Sequence, residues 1–270
     1  AIVAAYGFEE DDDRIVVDTS GNGNDGTISG ATRISAPEGR HGNVLDFDGT
    51  NDLVDLKTLD ISGDGLTISA WMWARDFDTY DARLVSKATG VWENDHYWMV
   101  STYSNNSIRF RLRAGGSTTT LISPNNVLKA ETWYHVAATY DGAQMAGYVN
   151  GVKVAAKSKS GAIDTNGSVP AAIGNQPQGG RPFDGVIDEV RMYNWAQTVK
   201  AIQADIQADM ETTVSPTPDT TAPSVSIGAS PAESTYTSAQ TVTITAAASD
   251  DVGVARVEFY DGATLKGTDT

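Results

Sequence analysis

Between Ser107 and Arg113 the side chains alternate without a break: Ile108, Phe110 and Leu112 fall on one side, and Arg109, Arg111 and Arg113 on the other. A period of two marks a β-strand with one face buried, because successive side chains of an extended chain point to opposite faces. This stretch therefore commits the chain to a sheet that has an apolar side to cover. Tyr148-Val149-Asn150-Gly151-Val152-Lys153-Val154 predicts a hairpin, since Asn-Gly supplies the two positive-φ residues of a type I′ turn. Asp-Gly turns recur at Asp48-Gly49, Asp141-Gly142 and Asp184-Gly185. Many short strands joined in this way predict an all-β sandwich or jelly roll. One helix is predicted late, over Thr198–Met210, where Val199, Ile202, Ile206 and Met210 keep the spacing of one helical face.

Periodicity is lost between Thr212 and Pro223, a Pro/Thr-rich stretch that reads as an extended linker. The expected domains are thus 1–211, the linker 212–223, and 224–270, with strands predicted over Ser224–Ile227, Thr241–Ala246 and Ala255–Tyr260. An immunoglobulin-like sandwich takes about seven strands in roughly 100 residues. Residues 224–270 therefore read as a partial β domain, and the chain as a fragment of a longer modular protein. It starts at Ala1-Ile2-Val3 without a basic stretch or apolar core, as expected after removal of a signal peptide or for an excised piece. There is no run of about 18 apolar residues, so no membrane insertion is expected.

Charge and cysteine content narrow the partners. Lys and Arg total 19 against 35 Asp and Glu, a net charge of −16. Such a surface repels phosphate backbones, which argues against nucleic acid, while its carboxylates suit hard cations such as calcium. With no cysteine there is no disulfide framework, thiolate metal site or Cys nucleophile. His41, His96 and His135 lack zinc-like spacing.

Six segments in order carry a resemblance. They are Ala5-Tyr6-Gly7-Phe8-Glu9-Glu10, the Gly/Asn-rich loop Asp18–Gly26, Asn43-Val44-Leu45-Asp46-Phe47-Asp48-Gly49, Leu66-Thr67-Ile68-Ser69-Ala70-Trp71, Thr132–Gly142 and Phe183–Arg191. Over about residues 1–210 they resemble the bacterial laminin-G-like domains of the concanavalin A-like lectin/glucanase group. The tail, with Asp250-Asp251-Val252-Gly253-Val254 and Val257-Glu258-Phe259-Tyr260-Asp261-Gly262, resembles bacterial Ig-like modules. The resemblance implies a two-sheet antiparallel jelly-roll sandwich plus a partial Ig-like β domain. It also implies secretion and covalent linkage to carbohydrate-active or cell-surface domains.

Many members of that group hold a structural calcium between the first loop and the acidic pair of the last strand. Matching positions make Asp18, Asn24 and Asp188 the expected Ca2+ ligands, with Asn22 a weaker fourth. The plainer alternative is an Asx-turn loop beside a buried Asp that caps backbone amides. The run Glu9–Asp13 reads as a solvated turn.

For a glycan, the candidates are the aromatic residues of Val91–Trp98 and the basic stripe. Trp92 and Tyr97 stand among Asn, Asp, Glu and His, a mixture in which flat rings stack on sugar faces and polar groups bond hydroxyls. Tyr80 lies among Asp76, Asp78 and Asp81, which could bind a cation or sugar hydroxyls. Arg109 and Arg111, with Arg113, read either as a solvated face paired to cross-strand acids or as a cleft for an anionic polysaccharide, which Arg83 and Lys87 could extend. Trp71 and Trp133 read as core, and Trp195 as either exposed or packed under the helix.

Catalysis is not expected. Laminarinase-like relatives carry Glu-x-Asp-x-x-Glu on one strand, and no such spacing occurs here. Asp188 and Glu189 are adjacent, hence expected on opposite strand faces. A polysaccharide-binding module is the leading reading; a protein-binding adhesion domain and a structural spacer are the alternatives.

Overall fold

Short antiparallel strands account for most of the regular structure, as the alternating segments predict. In order they are β1 (Ile2–Tyr6), β2 (Ile15–Val16), β3 (Gly26–Ser29), β4 (Thr32–Ser35), β5 (Asn43–Asp48), β6 (Leu53–Asp55), β7 (Leu66–Ala74) and β8 (Arg83–Ala88). Then come β9 (His96–Tyr103), β10 (Ser107–Ala114), β11 (Ser117–Ile122), β12 (Trp133–Tyr140), β13 (Gln144–Val149), β14 (Val152–Ser158), β15 (Ala171–Ile173) and β16 (Asp184–Tyr193). Helix α1 (Val199–Glu211) follows, one residue from its predicted place. This computed structural model describes residues 1–37, 39–211, 222–232, 235–239, 241–250, 254 and 256–269. The chain divides into two units, Ala1–Val214 and Ser215–Thr270. Of the expected linker, 212–221 lies outside the described residues, as does Asp251-Val252-Gly253 of the tail motif.

In the first unit, one sheet runs β14-β13-β12-β7-β16-β5-β4, with β1 added on β16. The other runs β11-β10-β9-β8-β15-β6-β3-β2. Consecutive strands cross repeatedly between the two sheets, which is a jelly-roll sandwich. Their facing sides form one core, to which Phe47, Leu66, Ile68, Val136 and Ile187 come from the first sheet and Trp98, Val100, Ile108, Phe110 and Leu112 from the second. The alternation of Ser107–Arg113 is therefore real: its apolar residues enter the core and its arginines face the other way. The predicted hairpin turns at Asn150 (φ 50°) and Gly151 (φ 73°), the left-handed pair that a type I′ turn requires.

Three expectations change. Trp71 and Trp133 do not belong to the core between the sheets; they lie on the outer face of the first sheet, where the Arg40 guanidinium sits 4.4 Å and 5.2 Å from their rings. Trp71 is buried there because α1 covers it, and its Nε1 donates to Asp209 of that helix at 2.8 Å. Ile202 of α1 packs on Ala137, Ala146 and Tyr148 of the same face, while Val199 and Met210 of the predicted stripe are exposed. Asp188 and Glu189 do not alternate. Glu189 adopts φ 49° at a break in strand register between Asp188 and Arg191, so it is the extra residue of a bulge between the core residues Ile187 and Val190. Trp195 is 40% exposed and edge-on to Tyr193.

Among its described residues the second unit holds two antiparallel pairs, β17 (Ser224–Ser230) with β18 (Thr243–Ser249), and β19 (Val257–Asp261) with β20 (Thr264–Asp269).

Candidate functional site

The arginines of β10 stand on the side of the second sheet turned away from the core. Pairing of β8, β9 and β10 sets Arg83, Ser101 and Arg109 side by side across three strands. Asp81, held at φ 67° just before β8, lies against them. Its Oδ2 forms ion pairs with both Arg83 and Arg109, and its Oδ1 accepts a hydrogen bond from Ser101 Oγ at 2.7 Å. A third guanidinium, Arg181, brings its Nε to 3.9 Å from the same Oδ2. Arg83, Asp81 and Arg109 are 0%, 2% and 4% exposed, so this is a buried charge cluster and not a solvated sheet face.

Amides and one imidazole complete the floor. Arg83 donates to Gln176 Oε1 at 2.9 Å, and that oxygen also accepts from Ser86 at 3.1 Å. The Gln176 amide nitrogen donates to the Gly90 carbonyl and to Gln178, tying the loop after β15 over the sheet. His96 Nδ1 lies 2.7 Å from the Trp92 carbonyl, and its Nε2 lies 3.1 Å from Arg83. Arg111 Nη1 also lies 3.3 Å from Nδ1, but the much shorter contact there is to a carbonyl, which only accepts, and Nε2 faces a guanidinium, which only donates, so the proton is assigned to Nδ1. Burial, then Arg83 and Arg111, push His96 down to about 3, which leaves it neutral at neutral pH. Burial and then repulsion from Arg111 also press Arg83 and Arg109 below the ordinary guanidinium range. Arg111 donates to Thr120 Oγ1 at 3.2 Å and to the Val91 carbonyl at 3.3 Å.

Aromatic rings stand at both ends of this floor. Trp92, next to the Arg111 contact, is 78% exposed. At the other end the Arg109 guanidinium lies 4.2 Å from the Tyr103 ring centre, and the Tyr103 hydroxyl meets that of exposed Tyr80 at 2.6 Å. Of the expected ligand-binding residues, the structure thus brings Tyr80, Trp92, Arg109 and Arg111 to one face. Tyr97 is half-buried further along it, beside Arg113 at 5.5 Å, and its hydroxyl accepts from Asn166. The bland reading of the arginine stripe needs correction on one point. Acid partners exist, Asp81 for Arg109 and Asp164 for Arg113, but Arg109 and Arg111 are covered rather than solvated. Lys87 does not extend the stripe into a cleft; its ammonium is held by the Val169 carbonyl and Asp60. Sequence reasoning missed Gln176 and Arg181, whose only signal is a polar Gly/Gln/Asn loop distant in the chain.

The four residues expected to hold calcium do not form one donor set. Asp18 Oδ1 accepts from the backbone N–H groups of Ala5 and Ser20, and its Oδ2 from that of Asn24, all within 3.0 Å. Burial opposes the Asp18 charge, yet these bonds outweigh it and hold the carboxyl below its usual range. The Asn22 and Asn24 amides donate to the Val3 carbonyl, at 3.1 Å and 2.8 Å. Asp188 is turned instead to Arg40, whose Nη2 donates to it at 2.6 Å in a buried ion pair. A calcium ion needs six to eight free oxygens. Here the Asp18 oxygens accept three backbone N–H bonds, and Asp188, outward because it follows the core residue Ile187, is paired with the Arg40 guanidinium. Among the described residues no group of three or more His, Cys, Asp or Glu is placed to hold a metal ion. The acid that does face the start of the chain is Glu189, which lines a separate cleft of about 470 Å³ with Gly7, Glu9 and Thr19.

Comparison with known proteins bears on the fold. The binding domain of Paraclostridial Mosquitocidal Protein 1 is 18% identical, with a TM-score of 0.59, covering 77% of this chain and 52% of that one. Domain 4 of AbnA, an extracellular GH43 arabinanase from Geobacillus stearothermophilus solved with arabinotriose, is 20% identical with a TM-score of 0.54. That match covers 75% of this chain and 97% of that domain. The botulinum neurotoxin serotype D ligand-binding domain, in complex with N-acetylneuraminic acid, is 12% identical with a TM-score of 0.58, covering 77% and 50%. The chain therefore spans about half of the toxin binding domains and nearly all of the arabinanase domain. No curated protein matches it. A bacterial Ig domain model matches residues 223–270. A family model matching residues 48–203, more than half of the chain, shows that the protein belongs to the concanavalin A-like lectin/glucanases superfamily.

Proposed function

We propose that the first unit is a non-catalytic carbohydrate-binding module of a secreted modular protein, and that it holds its glycan on the outer face of β8, β9 and β10. The observation that carries this reading is the pairing of a rigid polar floor with exposed rings. Gln178, exposed and fixed by Gln176 beneath it, and the edge of Arg111 offer polar groups held in place, while Trp92 and Tyr80 offer flat apolar surface at the two ends. Sugars present both kinds of surface, hydroxyl edges and C–H faces, so such a site suits them. The arabinanase domain bound to arabinotriose and the toxin domain bound to N-acetylneuraminic acid support a glycan partner for this fold. The extracellular arabinanase supports secretion, and among the described residues no helix is long and apolar enough to cross a membrane.

The non-catalytic part rests on the acids. Glycoside hydrolysis needs two carboxyl groups flanking one bond, and Asp81 is engaged by two arginines and a serine. Asp95 accepts from the Trp92 N–H, and Glu93 accepts from Thr120. Because the expected calcium ligands do not converge, no step of this reading runs through a metal.

Native gels cast with arabinan and a panel of other polysaccharides test the reading. The parent chain is expected to be retarded by at least one polymer. Trp92→Ala and the double change with Tyr80→Ala should each weaken retardation by about tenfold per ring, with unchanged circular dichroism. No retardation by any polymer, or equal retardation of the double variant, would overturn it.

A further inference from the structure

We infer that the sugar recognised on this face is anionic, carrying a carboxylate or sulfate that docks at Arg181 beside the Arg109–Tyr103 pair. The inference rests on the glycan-binding reading above and narrows its ligand class. Its first ground is the local charge count. Three guanidiniums, of Arg83, Arg109 and Arg181, converge on the single carboxylate of Asp81. Arg111 stands on the same strand face as Arg109 and has no ion-pair partner within 4 Å among the described residues. The acids facing that end are Glu93 and Asp95, which are bonded to Thr120 and to the Trp92 N–H. At the Asp81 carboxylate itself, three guanidiniums therefore share one acid, and among the described residues Asp76 and Asp78 of the same loop form no ion pair with them.

Burying a guanidinium without a counter-charge is costly, and amides or hydroxyls would read a neutral sugar without that cost. The second ground is the shape of the donor. The Nε atoms of Arg109 and Arg181 are closed to solvent, so an incoming anion meets the outer guanidinium edge of Arg181, whose side chain is partly exposed. A planar guanidinium edge matches the paired oxygens of a carboxylate or sulfate. The third ground is access. The Arg181 side chain is 31% exposed and Tyr80 is 52% exposed, so an anion can reach this end of the floor while a ring stacks beside it. A neutral glycan would leave the excess charge unanswered.

The test compares four immobilised polymers at low salt: polygalacturonate, the same polymer after carboxyl reduction, a sulfated galactan and poly-glutamate. The parent chain should bind at least one of the two acidic glycans about tenfold more tightly than the reduced polymer, and that preference should fall as salt rises. Which acidic glycan is retained separates carboxylate from sulfate. Arg181→Gln, at a partly exposed position, should erase the preference while leaving the fold intact by circular dichroism. Arg109→Gln should do the same if it folds. Equal binding to polygalacturonate and its reduced form, without preference for the sulfated galactan, would overturn the inference and leave the glycan-binding reading standing. Equal binding to poly-glutamate would reduce the effect to charge alone and also overturn it. Failure to bind any glycan would overturn both.

Discussion

Replacing Asp81 by Asn should destabilise the first unit far more than a typical change of one oxygen to one nitrogen. Asn is the informative substitute because it tolerates the φ of 67° at this position, so backbone strain is not added to the loss of charge. The carboxylate answers Arg83 and Arg109 with Oδ2 and Ser101 with Oδ1. If the new amide keeps its oxygen on Ser101, its NH2 faces two guanidiniums, and donors confront donors. If it flips, its oxygen serves the arginines, and Ser101 must turn to accept from the NH2. Either way two buried cations lose their counter-charge. Removing one partner of a buried pair costs about 3–5 kcal/mol, and the flipped arrangement recovers part of that, so roughly 3 kcal/mol is expected. For a domain of this size that is a drop in Tm of about 6–12 °C. Thermal and urea unfolding at pH 7 would measure it, with circular dichroism confirming that the variant folds. Sulfate should recover more stability in the variant than in the parent, since an anion can occupy the vacated charge site. A loss below about 1 kcal/mol would refute the reasoning, because it would mean that the arginines are satisfied by water and that the floor is not a buried charge cluster.

Two further perturbations address the first loop and the opposite sheet. Asp18→Asn sets an amide NH2 against one of three backbone N–H donors and should cost about 1–3 kcal/mol, equally in calcium and in EDTA. A loss seen only with calcium present would place a cation at that loop. His135 is 1% exposed, neither of its ring nitrogens has a hydrogen-bond partner, and burial followed by Arg191 pushes it down to about 3. The unfolded chain titrates near 6.5 and so binds the extra proton first, which means that the parent loses stability as pH falls below that value. His135→Phe cannot lose it, so the stability gained by the variant should be about 2 kcal/mol larger at pH 5 than at pH 7. A gain that does not change with pH would show that His135 titrates normally.

What could be read from the chain, and what could not, divides along a physical line. Alternation is local, so the face of Arg109, Arg111 and Arg113 was legible from seven residues, and Asn150-Gly151 announced its own turn. Burial of that face was not legible, because its cover comes from elsewhere: the Asp81 carboxylate precedes β8, and Gln176 and Arg181 belong to the loop after β15. The same distinction explains Trp71. Parity along Leu66–Ala74 is silent about which side is core when nearly every position is buried, and that continuous burial is itself the mark of a strand covered on both faces, here by the other sheet and by α1. Asp188 and Glu189 failed for a different reason. Alternation assumes that every residue is extended, and one left-handed residue at Glu189 resets the count after Asp188, which keeps its outward place beside Arg40, and sends Glu189 toward Gly7. A sequence pattern thus assigns a side chain to a face, whereas chemistry at a site depends on what closes over that face. On the β8–β10 face, what closes over is one acid among several arginines, and that imbalance is why the ligand's charge is more sharply constrained than its sugar ring.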